Sequence, residues 1–210
     1  MQSAIETVTY AIGDLHGEVT LLRKLLTTLP YRPEDTIVFL GDYMDRGEDS
    51  VAVIQELIAL SRKHPKCVFL RGNHEDSWLE AWDGGEFTYV PEIDGAQEVW
   101  DDCNGHVPYA VGFFLEATLI EYEDEHAYYI HAGAKPGEPV WRTSELIKLW
   151  GTEDFLDSTY DWGKPIVFGH WKFDQPLLED NKIGVDTGAH ETGILTAVRM
   201  PDRQIFQARR

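Results

Sequence analysis

Short apolar runs alternate with amphipathic segments along most of the chain. Val8 to Ile12 reads as a β-strand and stops at Gly13-Asp14. Glu18 to Leu29 then carries Val19, Leu22, Leu25, Leu26 and Leu29 at helical spacing. Thr36 to Leu40 is a second apolar run, ending at Gly41-Asp42, and Asp49 to Arg62 follows as a helix with an acidic N-terminal cap. A third run, Cys67 to Leu70, ends at Arg71-Gly72-Asn73 and leads into a short helix over Glu75 to Trp82.

The middle is less regular. Asp83 to Gly105 is rich in Gly, Asp and Glu, and is expected to be a loop or small cap with at most a helical turn or two. Val107 to Glu116 has helical character, weakened by Pro108 and Gly112. Strands return at Thr118 to Tyr122 and Ala127 to Ile130, the second ending at His131-Ala132-Gly133. Pro136 to Pro139 reads as loop, and Thr143 to Leu149 and Glu153 to Asp157 as helices. Ile166 to Phe168 ends at Gly169-His170, and three β-like runs close the chain at Lys182 to Val185, Ile194 to Arg199 and Gln204 to Gln207. This alternation predicts one α/β domain over 1–210, a two-sheet sandwich with outer helices, in which about 83–108 form a small cap or loop insertion.

Composition narrows the function classes. Hydrophobic residues make up 43% of 210 residues, which is globular rather than disordered. No apolar run approaches membrane-spanning length, and the first residues lack the basic and apolar regions of a signal peptide, so a cytoplasmic location is expected. The two cysteines, Cys67 and Cys103, form no C-x-x-C pair and read as reduced thiols. A formal net charge of -19 argues against nucleic-acid and membrane partners. A phosphate substrate would then need local attraction, from metal ions and a few arginines.

Five strand-like runs end at residues of metal-ligand type, usually beside glycine: Asp14 and His16, Asp42, Asn73 and His74, His131, and His170. Any one of them alone is an ordinary turn or packing residue. Five coincident strand ends predict a site, because loops after strands are where α/β folds assemble chemistry. Asp14 and His16, two apart, are expected to point the same way from an extended strand end. Mixed nitrogen and oxygen donors suit Mn, Fe or Zn. His190, after Asp186-Thr187-Gly188-Ala189, is a candidate for lining the cleft, whereas His64, His106 and His126 lie outside this pattern.

The ordered set of motifs resembles the phosphoprotein phosphatase family of calcineurin-like metallophosphoesterases. Gly13-Asp14-Leu15-His16-Gly17, Gly41-Asp42-Tyr43-Met44-Asp45-Arg46-Gly47 and Gly72-Asn73-His74-Glu75 are similar to its first three motifs. His131-Ala132-Gly133, Phe168-Gly169-His170 and Asp186-Thr187-Gly188 are similar to later ones found in bacterial members. The resemblance implies a two-sheet sandwich with these loops at one rim, and two divalent cations, of which Mn is expected first. One would be held by Asp14, His16 and Asp42, the other by Asp42, Asn73, His131 and His170. A hydroxide shared by the two cations would attack phosphorus in line, His74 would protonate the leaving group, Asp45 would orient His74, and Arg46 would bind phosphate oxygens.

The sequence departs from the family where a second phosphate-binding arginine is expected: Trp150-Gly151-Thr152 places a threonine there, with Arg71 and Arg142 as unmatched neighbours. A hydroxyl does not replace that charge. Three functions follow as expectations. The first is a phosphomonoesterase acting on phosphorylated protein (phosphoserine, phosphothreonine or phosphotyrosine) or a small phosphoester. The second is a symmetrical dinucleoside polyphosphate (diadenosine tetraphosphate) hydrolase. The third is a metal-binding module with impaired catalysis.

Overall fold

The computed structural model describes residues 7–210. Strands β1 (Thr9–Ile12), β2 (Thr36–Phe39) and β3 (Cys67–Phe69) pair in parallel, and β9 (Ile194–Met200) and β10 (Gln204–Arg209) extend the same sheet antiparallel beyond β1, in the order β10-β9-β1-β2-β3. The second sheet runs β4-β5-β6-β8-β7, built from β4 (Glu121–Glu123), β5 (Tyr128–Ile130), β6 (Ile166–Phe168), β7 (Leu177–Leu178) and β8 (Lys182–Gly184). It too is mixed, with β5, β6 and β8 parallel and the edge strands antiparallel.

The apolar runs are nearly continuous because the inner strands are buried on both faces. Alternate residues serve two cores. Ala11, Val38, Val167, Ile183 and Val198 meet between the sheets. Tyr10, Ile12, Ile37 and Phe39 point outward, under α1 (Val19–Thr28), α2 (Ser50–Lys63) and α3 (Asn73–Glu80). On the outer face of the second sheet, Ile130, Ile166 and Phe168 pack with Val140, Phe155 and Trp162. Phe155 belongs to α7 (Glu153–Asp157), which follows α6 (Glu145–Trp150). The α2 cap is as expected: Asp49 accepts a hydrogen bond from the Ala52 amide at 2.8 Å.

The middle segment holds one seven-residue helix, α4 (Ala96–Asp102), and α5 (Tyr109–Glu116) follows directly after Pro108. Proline at the helix entry removes no needed donor. Gly112 lets α5 lie flat on Trp82, whose ring a Cβ there would strike. Both residues that weaken the helical pattern thus fit the helix, for reasons of entry and packing.

Other boundaries shift. Thr118 and Leu119 lie outside β4; Leu119 instead bridges Leu70 at the end of the first sheet. The two-residue β7, the short helix α8 (Ala189–Thr192) and a 3-10 turn at Val140–Arg142 carry too little periodicity to read in advance. Among the described residues, no helix is long and apolar enough to cross a membrane.

Candidate metal centre

The loops after β1, β2, β3, β5 and β6 converge at one rim of the sandwich, and each strand end delivers the side chain its motif contains. Asp14, His16, Asp42, Asn73, His74 and His131 are all buried there, and His170 is half-buried. The chain does not leave β1 extended: it turns at His16 (φ 39°), and the Leu15 and His16 amides both donate to the Asp42 carbonyl oxygen, at 2.9 and 2.8 Å. The first and second motifs are therefore stitched together by backbone. Gly72 completes the contact, since a Cβ there would overlap Asp42 Oδ1.

Hydrogen bonding fixes which imidazole nitrogens are free. His16 Nδ1 donates to the Met44 carbonyl and His131 Nδ1 to the Leu40 carbonyl, each at 2.8 Å. A neutral ring that donates from Nδ1 keeps a lone pair on Nε2. Those lone pairs face oxygen acceptors. His16 Nε2 lies 3.5 Å from Asp42 Oδ2, and His131 Nε2 lies 3.4 Å from Asp42 Oδ1. His131 Nε2 and His170 Nδ1 each sit 3.0 Å from Asn73 Oδ1. Burial keeps these rings neutral, lowering His16 to about 3 and His170 to about 4, and lowering His131 as well.

His16 Nε2 also faces the Arg46 Nη1 donor at 3.0 Å, but the His131 Nε2 lone pair faces only the oxygens of Asp42 and Asn73, an arrangement that a cation satisfies. Two sets meet the geometric condition, His16, Asp42 and His74, and Asp42, His131 and His170, each with donor atoms within 4.8 Å of one another. Asp42 is common to both. The donor set of imidazole, carboxylate and carboxamide fits a divalent transition metal.

Charge points the same way. Burial and the nearby carboxylates of Asp186 and Asp42 push Asp14 well above the usual carboxylate range, and Asp186 is raised to about 6. Burial would raise Asp42 too, but His131, His74 and His16 hold it below its ordinary value. Like charges concentrated in a buried cleft call for a counter-cation. Both Asp14 oxygens accept the His170 amide, at 3.1 and 3.0 Å, tying the loops of the two sheets together.

His74 stands at the edge of this cluster with its own support. Its Nδ1 donates to Asp45 Oδ2 at 2.6 Å, and its Nε2 points back toward Asp42 Oδ2 at 4.0 Å. Asp45 in turn accepts from Trp78 Nε1 at 3.0 Å, and its amide donates to Ser50 Oγ at 2.8 Å. Burial alone would lower the His74 pKa; Asp42 and Asp45 beside it turn the shift upward.

Glu75 is the organiser beneath the site. Fully buried, it accepts the amides of Asp42 (2.7 Å), Tyr43 (2.8 Å), Gly72 (2.9 Å) and Met44 (3.4 Å). Glu75→Ala would strand these donors in the interior, and is expected to cost about 2–4 kcal/mol of folding stability. Urea unfolding of the two proteins measures this; a loss below about 1 kcal/mol would mean water takes over the carboxylate's role. Five non-glycine residues of the rim also hold left-handed backbone: His16, Asp42 (φ 51°), Asp45 (φ 72°), Arg46 (φ 69°) and His170 (φ 59°). Such conformations concentrate at functional sites.

Residues 8–193 match the sequence profile of the calcineurin-like phosphoesterases. The chain belongs to that family. Among relatives of this phosphoesterase, the asymmetrical bis(5'-nucleosyl)-tetraphosphatase PrpE of Anoxybacillus flavithermus is 28% identical over 92% of this chain and 90% of its own. Serine/threonine-protein phosphatase 2 of Escherichia coli is also 28% identical, over 89% of this chain and 90% of its own. A crystal structure provisionally described as a diadenosine tetraphosphatase superposes with a TM-score of 0.75 at 22% identity, over 98% of this chain and 94% of its own. The phosphoesterase's relatives thus divide between protein phosphatases and dinucleoside tetraphosphate hydrolases.

All the candidate site residues of this phosphoesterase meet at the rim, including Arg46, whose Nη1 lies 3.0 Å from His16 Nε2. His190 is there as well, its ring 5.1 Å from that of His16. His64 lies away from the rim, buried and bonded to the Asp35 carbonyl at 2.8 Å. Thr152 precedes α7, and the two arginines near it in sequence or motif have partners of their own. Arg71 contacts Thr118 and Asp76, and Arg142 stacks on Trp141.

Sequence reasoning left three contributors without a role. Glu75 lies within the third motif, three residues after the helix cap at Gly72, and that capping-box spacing is the available signal. Trp78 is one helical turn beyond His74, on the same face. Asp186 ends the strand run after β8 as the other ligand-type residues end theirs, so the strand-end rule extends to it.

Proposed function

We propose that this phosphoesterase is a protein phosphatase, hydrolysing phosphate monoesters of serine, threonine or tyrosine side chains. In this reading Asp14, His16 and Asp42 hold one divalent cation, and Asp42, Asn73, His131 and His170 hold a second, with manganese the first to test. Bound there, the cations supply Lewis-acid polarisation of phosphoryl oxygens and draw a nucleophile from water near neutral pH. Asp45 holds His74 by its Nδ1, so that Nε2 can deliver a proton to the departing alkoxide. The Arg46 guanidinium contacts the phosphoryl oxygens as a planar fork. These residues come from both sheets and from positions 14 to 170, so the chain is read as a single catalytic unit.

The observation that carries the choice of substrate is the charge beside Arg46. A cavity of about 580 Å³ opens there between the start of α2 and α4, lined by Glu48, Asp49, Glu98 and Asp102, with Arg46 as its one arginine and no lysine. A polyphosphate chain lying in that groove would meet four carboxylates, whereas a phosphorylated side chain places only one phosphate at the rim. A second reading, hydrolysis of diadenosine tetraphosphate, is favoured by the similarity to PrpE across 92% of the chain.

Side-by-side kinetics on a phosphopeptide and on diadenosine tetraphosphate, with manganese, separates the two. The peptide is expected to show the higher kcat/KM, and a peptide with lysines beside the phosphoresidue should outperform one with glutamates, most clearly at low salt. Turnover of the nucleotide alone would reverse the assignment.

A further inference from the structure

The segment between α3 and α5 matches none of the motifs, yet it reaches the site. Asp94 and Gly95, at the entry to α4, lie directly on Asp45 and Arg46. Arg46 Nε donates to Asp94 Oδ2 at 2.9 Å. Behind that ion pair the two backbones touch: a Cβ on Gly95 would collide with the Arg46 amide nitrogen and come within 2.9 Å of Asp45 Cβ. Gly95 itself has a φ of 90°, and the helix it starts is anchored in the outer core by Ala96 and Val99.

We propose that Asp94 is a positioning residue for Arg46, and that the segment between α3 and α5 serves to aim this guanidinium. The inference rests on the reading that Arg46 binds phosphoryl oxygens. Asp94 takes the Nε edge of the guanidinium, which leaves the Nη groups turned toward the ligand cluster, where Nη1 lies 3.0 Å from His16 Nε2. A long arginine left free would have to give up rotamer freedom when phosphate arrives; one already held gives up less. The ion pair is solvent-exposed, with the Asp94 side chain 81% accessible, so it adds little to folding stability. Its removal should therefore act on ligand binding with the fold intact.

The sign of the effect is diagnostic. A carboxylate that merely competed with phosphate for Arg46 would weaken binding, and its removal would tighten it. The experiment compares Asp94→Ala, Asp94→Asn, Arg46→Ala and the Asp94→Ala/Arg46→Ala double variant on p-nitrophenyl phosphate, and measures the inhibition constant for inorganic phosphate. Asp94→Ala is expected to raise KM and the phosphate inhibition constant about three- to tenfold, with kcat within about twofold. Asp94→Asn, which keeps an acceptor oxygen, should recover part of the loss. In the Arg46→Ala background, Asp94→Ala should have no further effect. A fall in KM, or an equal effect of Asp94→Ala with and without Arg46, overturns the proposal. If Arg46→Ala alone leaves KM and phosphate inhibition unchanged, the assigned role of Arg46 fails and the proposal goes with it.

Discussion

Asp42→Ala is expected to empty the site of divalent metal and to reduce turnover by on the order of 10³-fold or more. Asp42 is the one residue common to both candidate ligand sets, with His16 Nε2 near one carboxylate oxygen and His131 Nε2 near the other. Its removal takes a charge from each set at once and leaves buried imidazole lone pairs around a void. It also frees the His74 amide, which donates to Asp42 Oδ1 at 3.2 Å. Metal analysis of the manganese-loaded wild type and variant, after removal of free ion, gives the answer, with circular dichroism to establish that the variant folds. Full occupancy in the variant would show that Asp42 does not link the two sets.

The second large effect concerns the proton. His74→Asn is expected to retain metal and to lower kcat about 10²- to 10³-fold for alkyl phosphates such as phosphoserine peptides. For p-nitrophenyl phosphate, whose leaving group needs little protonation, the loss should stay below about tenfold. The geometry behind this is the chain Trp78–Asp45–His74, with a 2.6 Å bond from His74 Nδ1 to Asp45 and Nε2 directed at the ligand cluster. Equal losses on both substrates would remove His74 from proton delivery. Loss of metal would instead identify it as a ligand, the role that its distance to Asp42 also permits.

Much of this arrangement was legible in the sequence because its signals are local. Strands β1, β2, β3, β5 and β6 end where a glycine or a turn residue interrupts an apolar run, and the candidate ligand residues lie just beyond those ends. What the sequence did not reveal depends on contacts between distant segments. The fit of Gly112 under Trp82 rescues a helix whose own composition argues against it. The Asp94–Arg46 contact spans 48 positions and involves a segment with no recognisable pattern. The buried role of Glu75 appears only when four amides from two loops are brought to one carboxylate. His16 illustrates a second kind of gap: alternation along a strand assumes extended geometry, which the chain has already left at His16.

The left-handed backbone along the rim has a consequence for heat tolerance. His16, Asp42, Asp45, Arg46 and His170 occupy conformations that glycine adopts freely and that cost other residues roughly 1 kcal/mol or more each. Glycine would relieve that cost at each position, with the least lost in exchange at Arg46, whose side chain is 30% accessible, whereas Asp42 and Asp45 also accept buried hydrogen bonds. Resilience and turnover pull against each other most plainly at Arg46, and variants selected only for survival at high temperature should drift toward glycine there and lose grip on phosphate.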